Sequence, residues 1–331
     1  MQYRMALNKT SIKDIFNKFK NLRVLLIGDT IIDDYYFVTP NGVSIKDPII
    51  STRFIKKERY LGGVFATARH LSQFVKEVNI ITLLGEKNKN ESFIKKSINS
   101  KVKYSFFTKP GSYTTVKERF IDSYKLVKMF KMEYLDDSPI QGGLGKKVIE
   151  KIRSIYKDYD MVLINDFGHG FLNDRVMDPI TSLKTFIGAN IQTKNSNFGF
   201  NPITKCKRAD FISLNSFEIR LAFQNKDDDL RILIRKLAKL RRYKDILLTL
   251  GKNGAMFYRS KISSAPAFEV KPIDTIGAGD AVFAVGSLLS FSKTDEEIIP
   301  IISNAAGAAA TQYVGNKETI TQEKILNYFQ S

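Results

Sequence analysis

The chain has 331 residues, of which 43% are hydrophobic and 26% charged, a balance typical of a globular protein with a substantial core. Its apolar runs are too short to span a bilayer, its charged N-terminus is unlike a signal peptide, and its single cysteine, Cys206, cannot form an internal disulfide. One cysteine and two histidines also argue against a structural zinc site. We therefore expect a cytoplasmic protein.

The formal net charge of +18 raises the question of a nucleic-acid or anionic membrane partner. The lysines and arginines are spread along the whole chain, with no zinc-finger spacing and no RNA-binding signature. We interpret the charge as a solvated, lysine-rich surface and expect a small anionic ligand, no nucleic acid and no membrane. A nucleic-acid binder is an alternative that rests on the charge alone.

Continuous apolar runs alternate with helical patterns along the chain. Five runs read as buried strands, at 23–29, 77–85, 161–168, 209–215 and 245–251. Helical patterns occupy 63–76, 143–157, 173–186, 217–223 and 229–242. Strands without polar alternation are typical of a sheet covered on both faces. The pattern therefore predicts an α/β fold with a doubly wound, mostly parallel sheet.

Two segments, about 35–60 and 103–134, interrupt this alternation. Both are rich in threonine, aromatic and β-branched residues with turn residues between them. We expect them to form short strands that pair into a small β-sheet lid over one end of the main sheet. With no repeat and no linker, the prediction is one domain over residues 1–331. Because lid strands have exposed edges, which often pair between subunits, we also expect a homodimer through the lid.

The stretch DTIGAGDAVFA, residues 274–284, places small residues directly before Asp280 at a predicted helix start. Backbone N–H groups at a helix N-terminus bind anions, and small residues let a phosphate approach them. A carboxylate beside that phosphate suits a base that takes a proton from a hydroxyl as the hydroxyl attacks phosphorus. From spacing alone, the alternative is a glycine-rich helix start that Asp280 caps.

This stretch resembles the C-terminal signature D-T-x-G-A-G-D of the ribokinase-type (PfkB) carbohydrate kinases, whose other motifs also occur in order between about 21 and 325. The resemblance implies a ribokinase-like fold, ATP and Mg²⁺ as cofactors, and a phosphotransferase with an alcohol group as acceptor. It implies that Asp280 is the catalytic base and that Gly277, Ala278 and Gly279 form the anion hole.

Further matches imply the remaining site residues. The stretches GDTIIDDYY, LGGVFATARHL and NDFGHGFL imply four sugar-binding residues, Asp33, Gly62, Gly63 and Asp166. The stretches LNSFE, LTLGKNGA and SNAAGAA, with the threonine of the signature, imply a nucleotide site formed by Asn215, Glu218, Thr249, Gly251, Gly254, Thr275 and Asn304. The resemblance also implies that Glu218 holds Mg²⁺ through water. Some members need a monovalent cation such as K⁺, which the resemblance would place near Asp274.

Within this family, GDTIIDDYYFV and TTVKERFI are similar to the branch that phosphorylates D-glycero-β-D-manno-heptose 7-phosphate in lipopolysaccharide-precursor synthesis. In that branch the partner activity in the pathway is a nucleotidyltransferase, and the sequence leaves open whether it lies on a separate chain. A phosphorylated sugar needs cations at the end remote from the transferred group. The candidates are Lys117, Arg119, Arg53 and Arg69, each of which has a solvated surface charge as its alternative.

Two stretches depart from the family pattern. The Gly-Gly motif normally continues to an asparagine, where this chain has Ala66 and Thr67. The run ANIQTKNSNFGFNP, residues 189–202, replaces a short Asp-Pro strand end that faces the nucleotide in the family. The resemblance places this run at the same carboxyl edge, where it would either contact phosphate or become ordered only on binding. These departures leave open a catalytically silent sugar-phosphate-binding regulatory or scaffold protein of the same fold, whereas the intact signature favours an enzyme. For His70, a packed or solvated position on a helix face is favoured over substrate binding.

Overall fold

The computed structural model describes residues 7–193 and 197–329. Its strands, in chain order, are β1 (Arg23–Gly28), β2 (Thr30–Val43), β3 (Ile50–Gly62), β4 (Glu77–Gly85), β5 (Val102–Lys109), β6 (Thr115–Asp122), β7 (Lys128–Tyr134), β8 (Met161–Asp166), β9 (Phe186–Ile191), β10 (Phe211–Asn215), β11 (Asp245–Thr249), β12 (Ala255–Tyr258) and β13 (Ile262–Ala265). Its α-helices are α1 (Lys9–Asn17), α2 (Gly63–Leu71), α3 (Glu91–Ser97), α4 (Gly142–Ile155), α5 (Asp174–Thr181), α6 (Ser216–Phe223), α7 (Leu230–Arg241), α8 (Ala278–Phe291), α9 (Ile299–Ala310) and α10 (Gln322–Leu326).

The main sheet has nine strands in the order β13-β12-β11-β10-β9-β8-β1-β4-β5. From β11 to β5 every neighbouring pair is parallel, and β12 and β13 add an antiparallel edge. The carboxyl ends of the parallel strands therefore meet at one edge of the sheet, where ligands bind in open α/β folds. The predicted doubly wound, mostly parallel sheet is confirmed.

The position of strand β1 in the sheet explains why its sequence is apolar without interruption. Val24 and Leu26 point into a core formed with α1, α2, α8 and α9, whereas Leu25 and Ile27 point into a second core formed with α4, α5, α6 and α7. All four side chains are fully buried. Both faces of the sheet are thus covered by helices. A strand that alternated apolar and polar residues would bury polar groups in one of the two cores.

Within the described residues, no helix is long and apolar enough to cross a membrane.

A second sheet of four strands, which we call the lid, has the order β3-β2-β6-β7. Strand β2 pairs parallel with β6 and antiparallel with β3, and β6 pairs antiparallel with β7. On the inner face of the lid, Tyr35, Phe37 and Ile121 form a buried cluster against Ile276 and Val314 of the core. The lid therefore rests on the segment that leads into α8.

The predicted lid boundaries are wrong for the first part of 103–134. Strand β5 lies at the edge of the main sheet, parallel to β4, with Tyr104 opposite Ile80. Val102 is buried, and Tyr104 and Phe106 pack against the main core. Aromatic and β-branched residues are equally suited to an edge strand of the core and to a lid strand, so composition alone does not separate the two.

The predicted helix 173–186 is too long, and β9 was not predicted. Helix α5 ends at Thr181, and β9 lies between β8 and β10 near the centre of the sheet. Its sequence FIGANI contains residues that are disfavoured in strands. Close packing explains the exception at Gly188, where a Cβ atom would lie 2.6 Å from Cδ2 of Leu163.

Candidate active site

A cavity of about 310 Å³ opens between the carboxyl edge of the main sheet, the first turn of α8 and the inner face of the lid. The predicted site residues that line it are Asp33, Gly63, Lys117, Arg119, Asn215, Glu218, Thr249, Thr275, Gly277, Gly279 and Asp280. The structure thus brings residues of the predicted sugar site, nucleotide site and anion hole to one cavity. Among the described lining residues, those missed by sequence reasoning are Ile31, Phe167, Asn190, Gln192, Ser213, Leu214, Ile276 and Asn316.

The turn before α8 has the shape of an anion site. Gly277 is the N-cap of the helix and has a left-handed φ of 85°. A Cβ atom on Gly277 would overlap Oδ1 of Asn316, whereas the corresponding position on Gly279 faces open space. The first amides of a helix have no intrahelical acceptor and lie at the positive end of its dipole. The predicted anion-hole segment therefore presents N–H groups beside space that a phosphate could occupy.

Asp280 lies in the first turn of α8, and its side chain is largely buried at the cavity wall. Nδ2 of Asn165, at the end of β8, donates to Oδ1 of Asp280 over 3.3 Å. The same Nδ2 donates to Oγ1 of Thr67 over 2.6 Å. An amide donor at this distance orients the carboxylate, which is what a general base at the cavity would require.

At the lid side of the cavity, Asp33 is held by two partners. Nη1 of Arg119 pairs with Oδ1 at 2.5 Å, and Nδ2 of Asn316 donates to Oδ2 over 3.3 Å. Gly62 is not among the described residues that line the cavity. A Cβ atom at this position would overlap Oδ2 of Asp33. Gly62 thus leaves room for the aspartate. Lys117 lies beside them, with its Nζ 3.6 Å from Oε1 of Glu133.

Asn215 and Glu218 form a reciprocal capping box at the start of α6. The backbone N of Glu218 donates to Oδ1 of Asn215 over 2.9 Å, and the backbone N of Asn215 donates to Oε2 of Glu218 over 2.9 Å. Thr193 N donates to Oε1 of the same carboxylate over 3.4 Å. The cap fixes a buried carboxylate at the wall of the cavity.

The other predicted residues do not line the cavity in the part of the chain that the structure describes. Gly251 and Gly254 form the left-handed turn after β11, with φ of 57° and 97°. Asn304 donates to the carbonyl oxygen of Ala265 over 3.1 Å. Ala278 donates to the carbonyl oxygen of Thr275 over 3.4 Å. The roles that the resemblance implies for these residues stay predictions.

Asp166, at the end of β8, is buried and pairs with Nζ of Lys205. Its Oδ1 also accepts from Gly168 N over 2.8 Å. Burial, followed by the charge of Asp166, raises the pKa of the neighbouring Asp29, whose Oδ2 accepts from Phe167 N over 2.7 Å. These contacts hold the loop after β8, and Asp166 is not among the described lining residues.

The unusual run 189–202 forms part of the cavity wall, although its residues 194–196 lie outside the described chain. Asn190 and Gln192, at the end of β9, line the cavity. Asn197 donates to the carbonyl oxygen of Phe167 over 3.0 Å, and Asn201 donates to that of Gln192 over 3.0 Å. The family resemblance predicted this position at the carboxyl edge, but not which side chains of the run line the cavity.

Arg69 and His70 of α2 hold the segment that follows α9. Nη1 of Arg69 donates to the carbonyl oxygen of Asn316 over 2.8 Å, and Asn316 lines the cavity. Arg69 itself is not among the described residues that line the cavity, so it supports the wall from behind. Nδ1 of His70 accepts from Ile320 N over 3.2 Å. His70 is buried, in agreement with a packed histidine. Arg53 lies on β3 of the lid and is not among the described residues that line the cavity.

The carboxylate of Asp274 is surrounded by donors. Its Oδ1 accepts from Nζ of Lys128 at 2.5 Å and from Ile276 N at 3.1 Å. Its Oδ2 accepts from Gly315 N at 2.9 Å and from the hydroxyl of Tyr35 at 3.4 Å. Burial raises the pKa of Tyr35, so the phenol keeps its proton and donates. Asp274 thus joins the lid, the turn before α8 and the segment after α9.

Comparison with known proteins shows the family. Residues 21–323 match the family described as pfkB family carbohydrate kinase. The chain belongs to this family. Its members are carbohydrate kinases, that is, phosphotransferases with an alcohol group as acceptor, so the enzyme class predicted from the signature is confirmed.

Curated relatives include two proteins named bifunctional protein HldE. The chain is 26% identical to that of a Nitratiruptor species over 313 residues, which cover 93% of the chain and 65% of the relative. It is 24% identical to that of Campylobacter curvus over 306 residues, which cover 90% of the chain and 63% of the relative. The chain therefore spans less than two thirds of the length of these relatives.

Solved structures confirm the ribokinase-like fold. Ribokinase from Thermotoga maritima matches with a TM-score of 0.70 and 16% identity, covering 93% of this chain and 99% of that one. Phosphofructokinase-2 from Escherichia coli, solved in complex with potassium, matches with a TM-score of 0.72 and 14% identity, covering 93% and 98%.

The buried His70 predicts a specific pH dependence of stability. Burial, followed by the charges of Arg69 and Lys324, lowers the pKa of His70 from 6.5 to about 3. Between these values the unfolded chain binds a proton that the folded chain does not, so this histidine stabilises the fold above pH 6.5 and its contribution falls as the pH is lowered. The slope from one such group is at most about 1.4 kcal/mol per pH unit.

We expect His70→Gln to flatten the pH dependence of the free energy of unfolding between pH 6.5 and 4, measured by urea denaturation. Glutamine has an oxygen that can accept from Ile320 N but does not titrate. Parallel curves for the variant and the wild type would contradict the lowered pKa.

Proposed function

We propose that the chain transfers the γ-phosphoryl group of ATP to a hydroxyl of a sugar or sugar phosphate, with D-glycero-β-D-manno-heptose 7-phosphate as the candidate acceptor. One observation carries the proposal. Asp280 and the turn that begins α8 face the same cavity as Asp33 and two cationic lid residues, Lys117 and Arg119. A base, an anion site and groups that bind a polar acceptor are the parts that phosphoryl transfer requires.

In the proposed reaction, Asp280 takes the proton of the acceptor hydroxyl as its oxygen attacks the γ-phosphorus. The new O–P bond forms while the bond between the γ-phosphorus and the β–γ bridging oxygen breaks, and ADP leaves. The amides of Gly277, Ala278 and Gly279 donate to the oxygens on which charge develops. Asn165 keeps the carboxylate of Asp280 oriented through its 3.3 Å hydrogen bond.

Asn215, Thr249 and Thr275 line the cavity and are the proposed nucleotide-binding residues. The family resemblance adds three more residues to this proposed site, Gly251, Gly254 and Asn304. The described residues contain no cluster of three or more His, Cys, Asp or Glu side chains that could hold a metal. This fits Mg²⁺, which usually takes one or two carboxylates together with phosphates and water. Glu218, fixed by its capping box, would hold the ion through water. When bound, Mg²⁺ neutralises charge on the phosphates.

The sugar is proposed to lie against the lid. Asp33, with Gly62, Gly63 and Asp166 from the family resemblance, would orient its hydroxyls. Lys117 and Arg119 would bind a phosphate already on the sugar, at the end remote from the transferred group. Arg119 pairs with Asp33, but a guanidinium has five N–H donors and can contact a second anion.

We also propose a homodimer through the lid, a separate nucleotidyltransferase in the same pathway, and a cytoplasmic location. Two relatives are named as bifunctional, which supports a second activity in the same pathway. Large apolar side chains of the lid are exposed, including Ile50 at 60%, Phe54 at 61% and Phe130 at 52%. Exposed apolar side chains on the outer strands of a sheet are candidates for an interface.

Asp280→Asn tests the chemistry. We expect kcat to fall by about 10²- to 10⁴-fold with little change in KM, because the amide cannot take the proton. The measurement is ADP release with Mg-ATP over a panel of free sugars and sugar phosphates. Asp174→Asn, an exposed aspartate in the first turn of α5, is the matched control. If the wild type is as inert as the variant while a sugar phosphate raises Tm, the protein is a binding protein instead.

Lys117→Met tests the phosphate on the acceptor. We expect KM for the phosphorylated sugar to rise by about 10- to 100-fold, as for the loss of a charge-assisted hydrogen bond, with a small effect on a free sugar. Lys131→Met is the control, because Lys131 pairs with the same Glu133 but is not a described lining residue. Equal effects of the two variants would exclude a phosphate contact by Lys117.

Phe54→Lys tests the dimer. We expect the wild type to sediment as a dimer and the variant as a monomer at micromolar concentration, because a charge would be buried in the interface. Phe200→Lys, at a side chain 90% exposed outside the lid, should sediment like the wild type. A monomeric wild type would contradict the proposal.

A further inference from the structure

The carboxylate that the family resemblance assigns to a monovalent cation does not fit one in this chain. A cation needs oxygen lone pairs, yet each described partner of Asp274 is a donor that already uses them. Two are the backbone N–H groups of Ile276 and Gly315, and one is the hydroxyl of Tyr35. The fourth is the ammonium group of Lys128, 2.5 Å from Oδ1. A second positive charge at the same oxygen would be repelled by this ammonium.

Lys128 belongs to the lid. It begins β7 and pairs in register with Ile121, whose side chain belongs to the buried cluster on the inner face of the lid. The side chain of Lys128 is 40% exposed, whereas that of Asp274 is only 4% exposed. A buried carboxylate needs a compensating positive charge, and here the lid supplies that charge through a covalently attached group.

We propose that the ammonium group of Lys128 replaces the monovalent cation, so that the lid itself fixes the turn before α8 and activity does not depend on K⁺. The inference rests on the proposed kinase function for its effect on turnover. The cation preference of the site is independent of the kinase function, because it can be measured on the protein without substrates.

The contacts of Asp274 show how the charge would act on the anion hole. Ile276, whose N–H donates to Asp274, directly precedes Gly277, the N-cap of α8. Gly315, whose N–H donates to the other oxygen, directly precedes Asn316, which binds Asp33. Lys128 is therefore a positioning residue. It orders the groups on both sides of the cavity through one carboxylate.

The test is Lys128→Met, which keeps a long unbranched side chain and removes its charge. Activity is assayed with Mg-ATP in choline chloride and in KCl at equal ionic strength. The wild type should be equally active in both salts. The variant should lose about 10- to 100-fold in choline chloride, as for loss of a group that orients a site, and K⁺ should restore much of the loss. Lys128→Arg should behave like the wild type.

The control is Lys125→Met, an exposed lysine in the turn between β6 and β7. It should show no preference between the salts. The second readout is Tm without nucleotide or sugar, in the same two salts. Lys128→Met should be stabilised by K⁺ relative to choline, whereas the wild type and Lys125→Met should not.

A wild type that K⁺ activates or stabilises over choline overturns the inference. A Lys128→Met variant without any K⁺-specific response in either readout overturns it as well. If every variant and the wild type are inert with all sugars, the proposed function fails, while the Tm comparison still decides whether Lys128 occupies the cation site.

Discussion

The site depends on one backbone constraint, the left-handed turn at Gly277. Its φ of 85° carries the chain into α8, and the space that a side chain would fill is taken by Oδ1 of Asn316. Asn316 in turn donates to Asp33 of the lid. The geometry at Gly277 therefore lets the side chain of Asn316 lie between the first turn of α8 and Asp33. A residue with a Cβ atom at 277 would be strained by the positive φ and would displace the Asn316 amide from this position.

The central strands, and the position of the 274–280 signature at the cavity, could be predicted because their signals are local. A strand such as β1 is apolar on both faces, and the signature at 274–280 combines small residues with a carboxylate in a fixed order. Asn316 lines the same cavity but comes from a remote segment with no local signal, whereas Asn190 belongs to the run 189–202, for which the resemblance indicated the edge but not the contact. Their positions depend on long-range packing, including β9, whose sequence is unfavourable for a strand and whose place is set by its neighbours.

Sequence motifs identified the carboxylates near the site but not their partners. Asp33 pairs with Arg119, Asp166 with Lys205, and Asp274 with Lys128. Each basic partner is remote from its aspartate in the sequence, so no local pattern connects them. At the carboxyl edge of the sheet, each of these buried acids is thus compensated by a basic side chain.

The departure at Ala66 and Thr67 has a structural explanation in the same region. Thr67 is fully buried, and its Oγ1 accepts from Nδ2 of Asn165 over 2.6 Å. The same Nδ2 also donates to Asp280. Thr67 stands where the family resemblance expects a sugar-binding asparagine, and in this chain it supports the carboxylate of the proposed base instead. Thr67 is not among the described residues that line the cavity. In the proposed reaction its hydroxyl therefore acts through Asn165 on the proposed base, while Asp33, Lys117 and Arg119 of the lid, which do line the cavity, contribute to recognition of the sugar.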